Sequence, residues 1–305
     1  MDVLHLATFL SGLYTLVKGA DIITDHASQM AKKLGISELV IGITLVAIST
    51  SLPELAVSIL SVVTRVGGIA TGTIIGSNIA NIGLIIGLSA LISPLLNRKS
   101  FLKEGYYMLI FTLGVSIFLI DGMVFYEGII ILLGLVLYNY VLLKNEAQPA
   151  NTRENKINNK KAHHLIMCVF GALLVFVGAH LVVHSTLKIA EMLGISEIVV
   201  ALVAVAVGTS LPELATSFVA AIKKMRGISL GNIIGSNIFN IGILGFASLF
   251  DKVPVDYTVV TLDIPVMIII TMLFLIFMRT DWKISRIEAL TLLIIYTIFV
   301  LVHFI

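Results

Sequence analysis

The chain has 305 residues, 58% hydrophobic and only 12% charged, with 20 Lys and Arg against 18 Asp and Glu, and its mean hydropathy is +1.06. Ordinary soluble chains carry about 25% charged residues, so there is too little polar material here to cover a water-soluble particle. Most soluble enzyme folds are thereby excluded, as are disordered, collagen-like and disulfide-framed classes. A net charge of +2 provides no basic field for nucleic acid, and the composition is that of a polytopic membrane protein.

A membrane-crossing helix needs about 20 mostly apolar residues. Apolar runs of that size fall at 3–24, 38–64, 70–95, 104–120, 123–143, 164–187, 197–222, 229–250, 257–278 and 284–305, which predicts an all-α protein of ten spans. The first run begins Met1-Asp2 without a basic leader or a small-residue cleavage pattern, and is expected to be a retained helix. The single cysteine, Cys168, lies in the sixth run and has no internal disulfide partner. Lys144 to His164 (KNEAQPANTRENKINNKKAHH) reads as a solvated linker. The expected organisation is therefore a five-helix half over 1–143, a linker over 144–163 and a second five-helix half over 164–305.

Lys and Arg give the orientation. With the N-terminus outside, the inner loops and helix ends collect Lys18, Lys32, Lys33, Arg98, Lys99, Lys103, Lys144, Arg153, Lys156, Lys160, Lys161, Lys223, Lys224, Arg226, Arg279, Lys283 and Arg286, and the outer ones only Arg65, Lys188 and Lys252. A split of 17 to 3 satisfies the positive-inside rule. The expectation is a multi-pass protein of the cell membrane with both termini outside and residues 144–163 in the cytoplasm.

The two halves also repeat. Gly35 to Ser58 (GISELVIGITLVAISTSLPELAVS) and Gly194 to Ser217 (GISEIVVALVAVAVGTSLPELATS) share 15 of 24 positions at an offset of 159. The same offset pairs Ile74–Ile79 with Ile233–Ile238, and Asn81-Ile82-Gly83 with Asn240-Ile241-Gly242. Five spans per half invert the second copy in the membrane. This is the architecture of secondary transporters that bind their substrate at the repeat interface near the midplane.

The acids locate the chemistry. All but two are expected in loops or near helix ends; Glu54 and Glu213 fall in the middles of the second and seventh runs. A central ionisable group costs about 2.5 to 3.5 kcal/mol on insertion scales, and no Lys or Arg lies near the middle of any span to pair with either. Thr50 shares a helix face with Glu54, Thr209 with Glu213, Ser77 with Asn81 and Ser236 with Asn240, each pair four residues apart, and Ser51 and Ser210 lie alongside. Such an all-oxygen set suits Ca²⁺ or Na⁺ and not a soft metal. Pro53 and Pro212 lack an N–H, so the carbonyls of Ser49 and Gly208 lose their helical donors and a kink or break is expected in each helix. Freed carbonyls at membrane depth are tolerated where they line a cavity or hold an ion.

The twin TSLPEL segments, followed by GSNIAN and GSNIFN, resemble the alpha repeats of the cation/calcium antiporter superfamily, and specifically its sodium/calcium exchanger branch. The resemblance implies a ten-helix antiporter with four central sites among helices 2, 3, 7 and 8 that exchanges Na⁺ for Ca²⁺ electrogenically, without a cofactor. By position it implies that Glu54 and Glu213 bind Ca²⁺ with Thr50 and Thr209. Ser51, Ser77, Ser210 and Ser236, with the carbonyls of Ala47 and Ala206, would complete the flanking Na⁺ sites, and Asn81 and Asn240 would line the middle. It also suggests the first and sixth spans as the moving gate. Asn240 stands where many relatives carry an acid, which argues against a function needing a third carboxylate, such as potassium co-transport. The absence of a GN-x-x-E pattern argues against the proton/calcium branch.

A Ca²⁺/H⁺ or other divalent-cation antiporter is the alternative transport reading. An intramembrane lipid-phosphate hydrolase would need a basic clamp on its phosphoryl oxygens, and no basic residue lies in either motif. No H-E-x-x-H occurs for a metalloprotease, and a passive channel fits the paired carboxylates less well than alternating access does. His180 and His184, which align with Asp21 and Asp25, are expected on an interfacial polar face, and His163 and His164 in the solvated linker. The expected partners are Na⁺, Ca²⁺ and the lipid bilayer, with no obligate protein partner.

Overall fold

The computed structural model describes residues 3–63, 69–96, 99–146, 158–192 and 197–303, of which 3–4, 96, 146, 158–161, 186–187, 189–192, 197–208 and 281 by their backbone alone. Among the described residues, eight helices are long and apolar enough to cross a membrane, and the pair Glu38–Thr50 and Leu52–Val63, bent by 48°, makes a ninth. The 26-residue helix Glu197–Ile222 falls on the seventh expected run. In chain order the spans are 1 (Val3–Leu34), 2 (the bent pair), 3 (Ile69–Ile92), 4 (Lys99–Phe118), 5 (Phe125–Glu146), 6 (Asn158–Met192), 7 (Glu197–Ile222), 8 (Arg226–Ala247), 9 (Val259–Arg279) and 10 (Arg286–His303).

Local sequence explains how the chain passes from span 1 to span 2. Gly35 takes φ +67°, a conformation that favours glycine, and ends span 1. Ser37 then caps span 2 by accepting from the Val40 N–H at 3.4 Å. The corresponding turn of the second repeat, 193–196, lies outside the described residues.

Spans 3 and 8 form the centre: 78% and 89% of their most apolar stretches are buried, against 11% for span 10. Ile110 and Ile117 on span 4, Leu133 and Leu137 on span 5, and Ile294 and Leu301 on span 10 are exposed, as helices facing hydrocarbon should be. Spans 1 and 6 pack backbone to backbone: a Cβ on Gly12 would stand 3.0 Å from the Val182 nitrogen, and one on Gly178 2.7 Å from the Leu16 Cα. Their apolar contacts form a separate cluster that includes Leu16, Ile23, Val175 and Ala179 and reaches Val219 and Ala220 of span 7.

Two short pairings join the halves at opposite ends. Leu95–Leu96 pairs antiparallel with Lys283–Ile284, and Met123 bridges Val253. The loops after spans 3 and 9 therefore share one side, as the alternation requires, and those after spans 4 and 8 share the other.

Two expectations need correction, and two acids are more buried than their places near helix ends indicate. The helix of span 6 is described from Asn158, ahead of the apolar run, and His164 within it is buried and not solvated. Its Nδ1 lies 2.8 Å from His26 Nδ1 and its Nε2 2.5 Å from Lys33 Nζ, both on the polar extension of span 1. Glu104 and Asp263 are buried despite lying near helix ends: Tyr138 Oη donates to Glu104 at 2.8 Å, and Asp263 meets His303 Nε2 at 2.9 Å. The two proline sites also differ. Span 2 breaks at Ser51, whereas span 7 runs through Pro212 as one helix. Of these two spans only span 2 carries a π-helical turn, Gly42–Val46, ahead of its proline, and two interruptions so close together disconnect the ladder.

Candidate ion-binding site

Spans 2 and 7 supply the acids, and spans 3 and 8 supply hydroxyls and amides. Ala47, Thr50, Ser51, Glu54, Ser77, Asn81, Ser210, Glu213, Ser236 and Asn240 are all buried, and Thr209 is half-buried. Ala206 lies among the residues described by backbone alone, outside the described part of the site. The fold therefore buries the expected oxygen donors on four helices from both halves.

Close packing brings these helices together. A Cβ on Gly231 would lie 2.6 Å from the Leu39 carbonyl and 3.0 Å from Gly42 Cα, and one on Gly235 would lie 2.8 Å from Ala47 Cβ. Only glycine allows span 8 to approach span 2 so closely. The first-repeat counterparts, Gly72 and Gly76, would meet no described atom within 4 Å.

The carboxyl groups lie within electrostatic reach of each other. Ser51 Oγ donates to Glu213 Oε1 at 3.0 Å, and Ser210 Oγ lies 3.3 Å from Ser77 Oγ. The Thr209 hydroxyl stands against Glu54 as Thr50 stands against Glu213, but neither Glu54 oxygen has a well-formed hydrogen bond. Among the described residues, six buried oxygens of the set lack such a bond: both of Glu54, Oε2 of Glu213, Oδ1 of Asn81, Oδ1 of Asn240 and Oγ of Ser236. A buried unpaired oxygen costs about 1 to 3 kcal/mol, and more when charged. Donors of this type can be repaid by a hard cation.

Asn78 and Asn237, equivalent in the repeat, hold the two central helices together. Each donates its Nδ2 to the other's main-chain carbonyl at 3.3 Å. Asn81 Nδ2 donates to Asn237 Oδ1 at 2.8 Å, and Asn240 Nδ2 to Asn78 Oδ1 at 3.0 Å. This near-symmetric four-amide knot fixes Asn81 and Asn240. Sequence reasoning passed over Asn78 and Asn237, although their duplication within GSNI was the available signal. It also passed over Asn232, which is fully buried between spans 2, 7 and 8.

The fold and this oxygen-rich centre define an inverted-repeat membrane transporter for hard cations. The model of the family described as sodium/calcium exchanger protein matches residues 4–144 and 163–305, and the chain belongs to that family. It is 36% identical to the sodium/calcium exchanger MaX1 of Methanosarcina acetivorans, over all of this chain and 99% of that protein. It is also 36% identical to the uncharacterized membrane protein MJ0091 of Methanocaldococcus jannaschii, over 98% of this chain and 97% of the other. The solved structure of the sodium-calcium exchanger NCX_Mj, soaked with Na⁺ without Ca²⁺, superposes with a TM-score of 0.89 at 36% identity and 98% coverage of both chains. The family is one of transporters, so the hydrolase and protease readings fall away.

Proposed function

We propose that the protein exchanges Na⁺ for Ca²⁺ across the cell membrane, binding both ions between Glu54 and Glu213. The observation that carries this reading is the meeting of two buried acids from inverted halves among six buried oxygens without well-formed hydrogen bonds. Thr50, Thr209, Ser51, Ser210, Ser77, Ser236, Asn81, Asn240 and the carbonyls of Ala47 and Ala206 complete the ligand set. The exchanger named as such in Methanosarcina acetivorans and the Na⁺-, Ca²⁺- and Sr²⁺-soaked structures of NCX_Mj support the choice of ions.

The coupling follows from charge. Two ionised carboxylates facing each other in low dielectric repel and are poorly solvated, so the empty site resists the occluded state through which a transporter must pass. One Ca²⁺ neutralises the pair, as do two Na⁺, and each lowers the barrier by its own preference for that state. A third Na⁺ makes the cycle electrogenic. Spans 1 and 6, packed on each other, are the moving gate beside this site, and the halves 1–143 and 164–305 are joined by the 144–163 linker in the cytoplasm with both termini outside, as the 17 to 3 distribution of basic residues indicates.

The test is Ca²⁺ uptake into proteoliposomes loaded with Na⁺, compared with K⁺ loading and with a proton gradient alone. Uptake is expected with the Na⁺ gradient only. Uptake driven by protons alone would overturn this reading in favour of a Ca²⁺/H⁺ antiporter.

A further inference from the structure

Asn232 on span 8 is fully buried and has no place in the ligand set above, yet its carboxamide touches both acid-bearing spans. Oδ1 lies 3.2 Å from Thr50 Oγ1 of span 2. Nδ2 donates to Ser217 Oγ of span 7 at 2.8 Å and points at the Glu213 main-chain carbonyl at 3.5 Å. That carbonyl can only accept, so the amide nitrogen faces span 7 and Oδ1 faces Thr50.

This orientation matters because the Thr50 hydroxyl, which also stands against the Glu213 carboxyl, has one proton and three neutral acceptors at the same distance. They are the Val46 and Ala47 carbonyls of its own helix and Oδ1 of Asn232, each 3.2 Å away. The Ala47 carbonyl already accepts from the Ser51 N–H at 3.0 Å, which leaves it one lone pair. The Thr50 proton and a cation must compete for that lone pair. When the proton turns to Asn232, the carbonyl is released.

We propose that Asn232 is a positioning residue that frees the Ala47 carbonyl for Na⁺ by drawing the Thr50 proton away from it. The inference rests on the reading above that Ala47 and Thr50 are ion ligands. It affects Na⁺ more than Ca²⁺, because two carboxylates supply most of the binding of a divalent ion, whereas a monovalent ion beside them depends on neutral oxygens. It also makes the two flanking Na⁺ sites unequal. The residue 159 positions earlier is Thr73, which is too short to reproduce the bridge, and the counterpart of Ser217 is Ser58, whose buried hydroxyl has no hydrogen-bond partner among the described residues.

The test uses Asn232→Leu, of similar volume without hydrogen bonds, together with Thr50→Val and the double variant. Each is reconstituted for Na⁺-dependent Ca²⁺ uptake, and half-saturating Na⁺ and Ca²⁺ are measured separately. Asn232→Leu should raise half-saturating Na⁺ about fivefold to tenfold, as the loss of one directing hydrogen bond predicts, and change the Ca²⁺ value less than about twofold by the same reasoning. On the Thr50→Val background it should add nothing further. Equal shifts for both ions, or an undiminished Na⁺ shift on that background, would show a packing role alone and overturn the proposal. Unchanged ion dependence in Thr50→Val by itself would instead overturn the ligand assignment beneath it. If Asn232→Leu does not fold, Asn232→Thr, which makes the second repeat like the first, is read in the same way.

Discussion

Ser51 of the first half donates directly to Glu213 of the second, across 3.0 Å. The reciprocal bond from Ser210 to Glu54 is missing: Ser210 lies against Ser77 at 3.3 Å, and among the described residues neither Glu54 oxygen has a well-formed hydrogen bond, although the Thr209 hydroxyl stands against this carboxyl. Identical TSLPEL segments thus present two different acids, and of the two Glu213 alone accepts a well-formed hydrogen bond from a serine of the opposite repeat. The break at Ser51 in span 2 and the continuous helix through Pro212 in span 7 accompany this difference.

Ser51→Ala should therefore impair transport more than Ser210→Ala. A hydrogen bond to a charged group contributes about 1.5 to 3 kcal/mol, so the expected loss in Na⁺-driven Ca²⁺ flux is on the order of tenfold or more for Ser51→Ala. Ser210→Ala, which removes a contact between neutral hydroxyls, should lose no more than about fivefold. Equal losses in paired flux assays would mean that the asymmetry has no functional weight.

The four-amide knot predicts a stability cost at either central asparagine. Asn78→Leu leaves the Asn237 carbonyl and the Asn240 amide without their partners, and Asn237→Leu does the same to the Asn78 carbonyl and Asn81. Each variant should destabilise by about 2 to 4 kcal/mol, the cost of two or so orphaned buried groups. The two substitutions remove different hydrogen bonds, so the double variant should cost more than either single one. Thermal melting in detergent measures all three, and a double variant no less stable than the single ones would contradict the network.

Much of this arrangement was legible in the sequence, and the reason is physical. The cost of a charge in hydrocarbon singled out Glu54 and Glu213, and the repeat doubled every signal around them. The knot was less legible, because an uncharged amide carries no comparable penalty and its partner is set by how spans 3 and 8 register. His164 was misread for a related reason: a polar stretch can continue a helix into the cytoplasm when a neighbour such as span 1 extends with it. Asp263 and Glu104 lie near helix ends, as the sequence places them, and their burial against His303 and Tyr138 is set by tertiary contacts that the sequence does not show.

Repeat-related glycines should respond in opposite ways to alanine. Gly235→Ala places a methyl against Ile43 and Ala47 of span 2, and overpacking of this kind costs about 1 to 3 kcal/mol. Gly76→Ala adds a methyl where no described atom lies within 4 Å and should be close to neutral in melting temperature. A larger loss in Gly76→Ala than in Gly235→Ala would contradict the packing described for spans 2 and 8.

Neutralising either central acid should stop exchange. Glu54→Gln and Glu213→Gln keep volume and hydrogen-bonding capacity but remove one of the two charges that a divalent ion must balance. Na⁺-driven Ca²⁺ uptake in proteoliposomes should fall to background in both, and near-normal uptake in either would remove that residue from the site.

Lys223, just beyond the end of span 7, ties that span to span 1 through Asp21 at 2.6 Å and Asp25 at 2.7 Å. Partial burial pulls its pKa down, but hydrogen bonds and charge from the two aspartates outweigh it, and the net shift is upward from the ordinary lysine value. A lysine raised in the folded state contributes its full stabilisation below its unfolded pKa and loses it as the pH rises through the folded one. The contact should therefore persist through neutral pH and weaken only in the alkaline range above the usual lysine pKa. All three side chains are partly exposed, so its contribution is small and screened by salt. Melting temperature measured from neutral to strongly alkaline pH should fall more in the wild type than in Lys223→Met. Parallel curves for the two proteins would show that this contact contributes nothing to the alkaline loss of stability.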